Sequence, residues 1–121
     1  MTEYAPYVGL VGLGYWGKNI LRNLFEMGVL AFACDASWPL LKERQKEYPT
    51  VSFTHDYEVV LKDPNIRAVM IAVPAAMHAR FALRALEAGK DVFVEKPLAL
   101  TVSEGEALVA CAQKHGRLLM V

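Results

Sequence analysis

The chain has 121 residues, of which 55% are hydrophobic and 21% are charged, and its 13 basic side chains balance its 13 acidic ones. Zero net charge argues against a nucleic-acid partner, and the apolar runs are far shorter than the roughly 20 residues of a membrane-spanning helix. The N-terminal stretch MTEYAPYVG lacks the basic start of a signal peptide, and Cys34 and Cys111 have neither metal-type nor CxxC spacing. We therefore expect a cytoplasmic protein with reduced thiols, no metal site and no membrane partner.

Short apolar runs, rich in Val, Ile, Phe and Ala, predict six β-strands. In chain order they are Tyr7–Gly12, Val29–Cys34, Val51–Thr54, Ala68–Val73, Asp91–Glu95 and Arg117–Val121. Most of these runs show no polar alternation, so both faces of each strand are expected to be covered. This pattern is typical of a parallel sheet.

Segments with helical period lie between the predicted strands. The predicted helices are Lys18–Met27, a helix capped by Ser37, a short helix from Asp56 to Leu61, Ala76–Ala88, and a last helix that ends near His115. Two overlapping capping boxes, Thr101 with Glu104 and Ser103 with Glu106, announce that last helix. The charged run KERQKEY (residues 42–48) is interpreted as a solvated face. Alternating strands and helices predict a single α/β domain over residues 1–121, a doubly wound six-stranded Rossmann sheet of strand order 3-2-1-4-5-6.

The stretch GLGYWG (residues 12–17) follows the first strand and opens the first helix, which is the context that a dinucleotide-binding loop requires. Gly12 permits the tight turn, Gly14 lets a pyrophosphate approach the backbone, and Gly17 lets the helix pack against the strand. The phosphates are expected at the free N–H groups of the helix N-terminus. Tyr15 and Trp16 are interpreted as walls of the cofactor cleft, with a contact to a neighbouring domain or simple exposure as the alternatives. The candidate cofactor-binding residues of the loop are Gly12, Leu13, Gly14, Tyr15, Trp16 and Gly17.

Asp35 ends the second predicted strand, 18 residues after Gly17. An acid at this distance can accept hydrogen bonds from the adenosine ribose hydroxyls, and it would repel a 2′-phosphate. No Arg follows within the next three residues, so the sequence favours NAD over NADP. The alternative is that Asp35 is only a turn residue at the end of a strand.

Two further strand ends carry candidate residues, because ligands of such sheets bind outside the carboxyl ends of the strands. After the fourth strand, Val73 and Pro74 are expected at the floor of the cleft, and His78 either reaches the ligands or is exposed at a helix start. After the fifth strand, VEKP (residues 94–97) places Glu95 and Lys96 in the region expected for nicotinamide. Pro97 can adopt a cis peptide. From spacing alone, a structural ion pair between Glu95 and Lys96 is the simplest interpretation, and an acid, base or hydroxyl-binding role for Lys96 is the alternative.

Together these residues resemble the Gfo/Idh/MocA family (glucose–fructose oxidoreductase, inositol dehydrogenase and rhizopine catabolism). The resemblance covers nearly the whole chain, and its most specific part is AGKDVFVEKPLA (residues 88–99). It implies NAD(P)-dependent oxidation or reduction of a hydroxyl on a sugar, polyol or nucleotide sugar. It also implies that Lys96 is catalytic, beside the nicotinamide and the substrate hydroxyl, and that Pro97 is cis.

The resemblance also implies a second, C-terminal domain that holds the substrate pocket and the catalytic His and Asp, and this chain has no counterpart of it. Neither His55 nor His115 lies in a matching motif. We therefore expect a cofactor domain that binds NAD(H), is inactive alone and has a bare apolar surface that favours self-association. The alternative is a non-enzymatic nucleotide-binding or redox-sensing module, which has no need of an EKP motif.

Overall fold

A computed structural model describes residues 5–121. The first four residues, part of the stretch in which no signal peptide is expected, lie outside the described residues. Six parallel strands form one sheet of order β3-β2-β1-β4-β5-β6, which confirms the predicted doubly wound topology. The strands are β1 Val8–Val11, β2 Leu30–Cys34, β3 Phe53–Thr54, β4 Ala68–Ile71, β5 Asp91–Val94 and β6 Leu119–Met120.

The five helices alternate with the strands, as predicted. They are α1 Tyr15–Glu26, α2 Trp38–Glu47, α3 Tyr57–Lys62, α4 His78–Glu87 and α5 Val102–His115. Helix α1 begins three residues before the predicted start at Lys18, so Tyr15 and Trp16 belong to its first turn. Helix α4 begins later than predicted, because a 3₁₀ turn over Ala75–Met77 follows Pro74.

Side-chain caps fix three of the helix starts. Ser37, Asp56 and Thr101 each accept a hydrogen bond from a backbone N–H in the first turn of the helix that follows. Thr101 also donates to the carboxylate of Glu104, which completes the first of the two predicted capping boxes. The second box does not form, because Ser103 already lies inside α5.

Apolar side chains on the two faces of the sheet form two clusters. Val11 joins the cluster built against α3, α4 and α5, whereas Val8 and Leu10 join the cluster built against α1 and α2. This division follows from the alternation of side chains along a strand. The sheet is therefore covered on both faces, and ligands of such sheets bind outside the carboxyl ends of the strands.

No helix within residues 5–121 is long and apolar enough to cross a membrane. Several large apolar side chains remain exposed, among them Val102 on α5 and Leu118 before β6. Self-association through such residues stays a prediction.

Candidate functional site

A cavity of about 460 Å³ opens at the carboxyl ends of β1, β2 and β4. Strand β1 lies between β2 and β4, so this is the point where the chain changes direction along the sheet, the place where such folds bind ligands. Seven of the predicted residues line the cavity: Gly12, Gly14, Tyr15, Trp16, Asp35, Val73 and Pro74.

The three glycines of the loop have different local environments. Gly12 has a φ of +100°, and a Cβ there would collide with the backbone of Ala72. A Cβ at Gly17 would collide with the carbonyl oxygen of Gly12. A Cβ at Gly14 would meet nothing within 4 Å. Gly12 and Gly17 are thus required by the fold, whereas Gly14 leaves open space beside the cavity.

Gly14 also caps α1, and a glycine supplies no side-chain acceptor to the first-turn N–H groups. No acidic side chain lies in that first turn. A helix N-terminus in this state carries partial positive charge and N–H donors. It is therefore suited to an anion such as a diphosphate.

Asp35 connects the end of β2 to the glycine loop. Its Oδ2 accepts a hydrogen bond from the backbone N–H of Leu13 at 2.8 Å, and its Oδ1 accepts one from the N–H of Ser37 at 2.8 Å. A carboxylate has about four lone-pair sites, so each oxygen keeps acceptor capacity. Asp35 therefore stabilises the turn at the end of β2, and its hydrogen bond to ribose hydroxyls stays a prediction.

Leu13 differs from the other loop residues, because its side chain is fully buried under the loop and does not line the cavity. Its carbonyl oxygen accepts a hydrogen bond from Nε of Arg44 at 3.1 Å. Arg44 lies on α2, is only 7% exposed and also donates to Glu47 at 2.7 Å. The interpretation of residues 42–48 as a solvated face is therefore wrong for Arg44, which shares the buried face of α2 with Leu41.

A second cavity of about 370 Å³ adjoins the first, and Trp16, Ala72 and Val73 line both. Glu95 and Lys96 contribute its charged lining. Within residues 5–121 no ion pair joins these two side chains, so the structural pair suggested by their spacing does not form. The Lys96–Pro97 peptide is cis, as expected.

His78 lines the second cavity, and its contact with a ligand stays a prediction. It is only 2% exposed, which rules out an exposed helix-start residue. Both ring nitrogens contact backbone carbonyl oxygens, those of Pro97 and Val73. The residue lies at the edge of the second cavity and connects the two loops that border it.

The inner wall of the first cavity is largely apolar, and no sequence motif predicted it. Tyr57 stacks on Phe81 at 4.7 Å between ring centroids, and its hydroxyl donates to the Phe81 carbonyl at 2.8 Å. His55 lies 4.4 Å from Trp38, ring centroid to centroid, and also lines this cavity. Burial raises the pKa of the Tyr57 hydroxyl.

Cys34 lies at the end of β2 and lines the first cavity. Burial, reinforced by the charges of Asp35 and Asp56, raises the pKa of its thiol to about 12. The thiol is therefore neutral near physiological pH, and it is not an activated nucleophile. Among residues 5–121 no group of three or more His, Cys, Asp or Glu side chains is placed to hold a metal ion.

A glycine loop at a helix N-terminus, an acid at the end of β2 and a cleft at the switch point of the sheet define a dinucleotide-binding domain. Residues 7–121 match the family described as the oxidoreductase family with an NAD-binding Rossmann fold, Gfo/Idh/MocA. The chain belongs to this family.

Individual relatives agree with this assignment. The chain is 34% identical to scyllo-inositol 2-dehydrogenase (NADP(+)) IolW of Bacillus subtilis over 94% of its length and 32% of that relative. It superposes with a TM-score of 0.88 and 27% identity on GenD2 from gentamicin A biosynthesis in complex with NAD, over 97% of this chain and 34% of that one. For the WlbA dehydrogenase of Bordetella pertussis in complex with NADH and UDP-GlcNAcA the TM-score is 0.84 and the identity 25%, over 97% and 36% of the two chains. The chain thus spans about a third of the length of its relatives.

Proposed function

We propose that this chain is the cofactor-binding part of an NAD-dependent dehydrogenase that acts on a hydroxyl of a sugar, polyol or nucleotide sugar. The observation that carries the proposal is the junction of the two cavities at Trp16 and Val73. One cavity holds the glycine loop and Asp35, and the other holds Glu95 and Lys96. A dinucleotide has two chemically different ends, and the joined cavities offer a different environment for each.

The chain's own residues suggest where each part of the cofactor lies. The diphosphate would lie at Gly14 and the first turn of α1, and the adenosine ribose would lie at Asp35. The apolar wall around Tyr57 and Phe81 would receive the adenine ring. The nicotinamide would enter the second cavity beside Lys96.

NAD is proposed over NADP because the negative charge of Asp35 opposes a 2′-phosphate. Among the residues that the structure describes, no Arg or Lys lines the first cavity to neutralise such a phosphate. Arg44, the buried cation nearest to Asp35 in the sequence, already donates hydrogen bonds to Leu13 and Glu47. The relatives differ in their dinucleotide: IolW is named for NADP(+), whereas GenD2 was solved with NAD.

Lys96 is proposed to bind the reacting hydroxyl group and to take or return its proton. When bound, the nicotinamide accepts or donates the hydride. In oxidation the neutral Lys96 amine takes the hydroxyl proton and becomes ammonium; in reduction the ammonium returns that proton to the oxygen. The remaining substrate contacts are proposed to lie outside these 121 residues, so the chain alone is expected to bind cofactor without turnover.

The test is a fluorescence titration with NADH and NADPH of the wild-type chain and of Asp35→Asn. Wild type is expected to prefer NADH, and the variant is expected to lose about tenfold in this preference because the repelling charge is gone. Asp91→Asn is the matched control. Asp91 also accepts a hydrogen bond from a distant backbone N–H, that of Leu118, but it lies at the amino end of β5, away from the cavity at the carboxyl ends of the strands. Binding of coenzyme A without either dinucleotide would contradict the proposal and favour a non-enzymatic nucleotide-binding module.

A further inference from the structure

His78 connects two loops at the candidate nicotinamide end of the site. It is the first residue of α4 and is 2% exposed. Its Nδ1 lies 2.7 Å from the carbonyl oxygen of Pro97, and its Nε2 lies 2.8 Å from the carbonyl oxygen of Val73. Val73 follows β4 and Pro97 follows β5, so one imidazole ring spans the two loops that border the second cavity.

Both partners of the ring are carbonyl oxygens, which accept hydrogen bonds and never donate them. A neutral imidazole has a single N–H and can bond only one of the two loops, whereas a ring protonated at both nitrogens can bond both. Both distances are typical of N–H···O hydrogen bonds. Glu95 and Lys96 border the same cavity and bring one charge of each sign. The ring therefore lies within hydrogen-bonding distance of both loops, and in either tautomer it donates to one of them.

Lys96 directly precedes Pro97, whose carbonyl oxygen His78 contacts. The Lys96 side chain makes no ion pair with any other of residues 5–121, so no charged partner there fixes the amine. What sets its place is the backbone of the turn that it forms with Pro97. The carbonyl of that Pro97 is the group that His78 holds.

We propose that His78 is a positioning residue, whose ring bridges the Lys96–Pro97 turn and the loop after β4 and so places the Lys96 amine in the second cavity. The inference rests on the proposed function, in which that cavity receives the nicotinamide. His78 lines this cavity, and the proposed role acts through the backbone of the Lys96–Pro97 turn. Its loss is therefore expected to affect the nicotinamide end of the ligand and to leave the adenosine end unchanged.

The test compares two ligands, NADH and ADP-ribose, on the wild-type chain and on His78→Phe, which keeps a planar ring but removes both ring nitrogens. Wild type is expected to bind NADH more tightly than ADP-ribose. His78→Phe is expected to lose about fivefold of this preference, with the affinity for ADP-ribose unchanged. His78→Gln, which keeps one donor group, is expected to give an intermediate value and serves if the Phe variant does not fold.

Lys90→Met is the matched control for a purely structural loss. Lys90 is also buried, and its Nζ also donates to two backbone carbonyls, those of Asp63 and Ile66 at 2.7 and 2.6 Å. Lys90 lies just before the amino end of β5, whereas both cavities open at the carboxyl ends of the strands. Lys90→Met is expected to lower stability and to keep the preference for NADH.

Three results would overturn the inference: a preference kept in His78→Phe, an equal loss of both ligands in that variant, or a wild-type chain that binds NADH and ADP-ribose equally. The last result leaves dinucleotide binding standing, whereas a wild-type chain that binds neither ligand contradicts the proposed function itself.

Discussion

The guanidinium group of Arg44 holds the carbonyl oxygen of Leu13: Nε donates to it at 3.1 Å, although 31 residues separate the two in the sequence. The N–H group of Leu13 donates to Asp35 at 2.8 Å. Both polar backbone groups of this one loop residue are thus fixed, and its neighbours are Gly12 and Gly14. The shape of the glycine loop therefore depends on two side chains outside the glycine motif.

Replacing Arg44 with Met is expected to lower the free energy of unfolding by about 2 kcal/mol. The variant leaves the buried carbonyl of Leu13 without its charged donor, and such a loss typically costs about 1–3 kcal/mol. Urea unfolding measures the effect, and NADH titration is expected to show weaker binding because the loop loosens. Lys46→Met, at an exposed site on the same helix, is the control and is expected to stay within about 0.5 kcal/mol of wild type. Equal unfolding curves for Arg44→Met and wild type would contradict this account.

The glycine loop offers a pair of variants that separates folding from binding. Gly14→Ala places its methyl group in open space, so the free energy of unfolding is expected to stay near the wild-type value. The methyl group would nevertheless occupy the approach to the first turn of α1, and NADH affinity is expected to fall about tenfold.

Gly17→Ala is expected to lower the free energy of unfolding, because its methyl group collides with the Gly12 carbonyl in the folded chain without any ligand. Forced overpacking of this kind typically costs about 1–3 kcal/mol. Thermal unfolding monitored by circular dichroism, together with NADH titration, distinguishes the two variants. A Gly14→Ala chain that binds NADH as wild type does would argue against a diphosphate at this position.

Local patterns were sufficient to predict the sheet order and the part of the cavity lining that lies in the glycine loop and at the strand ends. Strand ends carry Asp35, Val73 and Glu95, and parallel topology brings strand ends to one edge of the sheet. The two side chains that hold the loops were not recognised, because their partners are distant. Arg44 looked like part of a charged surface run, and only its spacing of three from Leu41 indicated a buried face. His78 makes contacts to backbone carbonyls, one of them 19 residues away, and such contacts leave no pattern in a single sequence.

Trp16 is expected to report cofactor binding, because it lines both cavities and is 62% exposed. The chain has two tryptophans, so Trp38→Phe leaves Trp16 as the single emitter. NADH is expected to quench this emission, with a midpoint equal to that of NADH fluorescence enhancement. Trp16→Phe, which leaves Trp38 beside His55, serves as the comparison. Unchanged Trp16 emission at saturating NADH would place the cofactor away from the junction of the cavities.

Cys34 gives a prediction for the pH dependence of stability. Its thiol pKa is raised from 9.0 to about 12 in the folded chain, chiefly by burial. Between these two values the unfolded thiol loses its proton while the folded thiol keeps it, so the unfolded state binds fewer protons and stability falls as pH rises. The contribution of Cys34 to the free energy of unfolding is complete below pH 9 and is lost towards pH 12. At pH 10 the loss is about 1.4 kcal/mol.

Other groups titrate in the same range, so the measurement is the difference between wild type and Cys34→Ala in urea unfolding at pH 8 and pH 10. The alanine variant is expected to lose less stability over this interval, and identical losses would show that the Cys34 thiol ionises equally well in the folded chain.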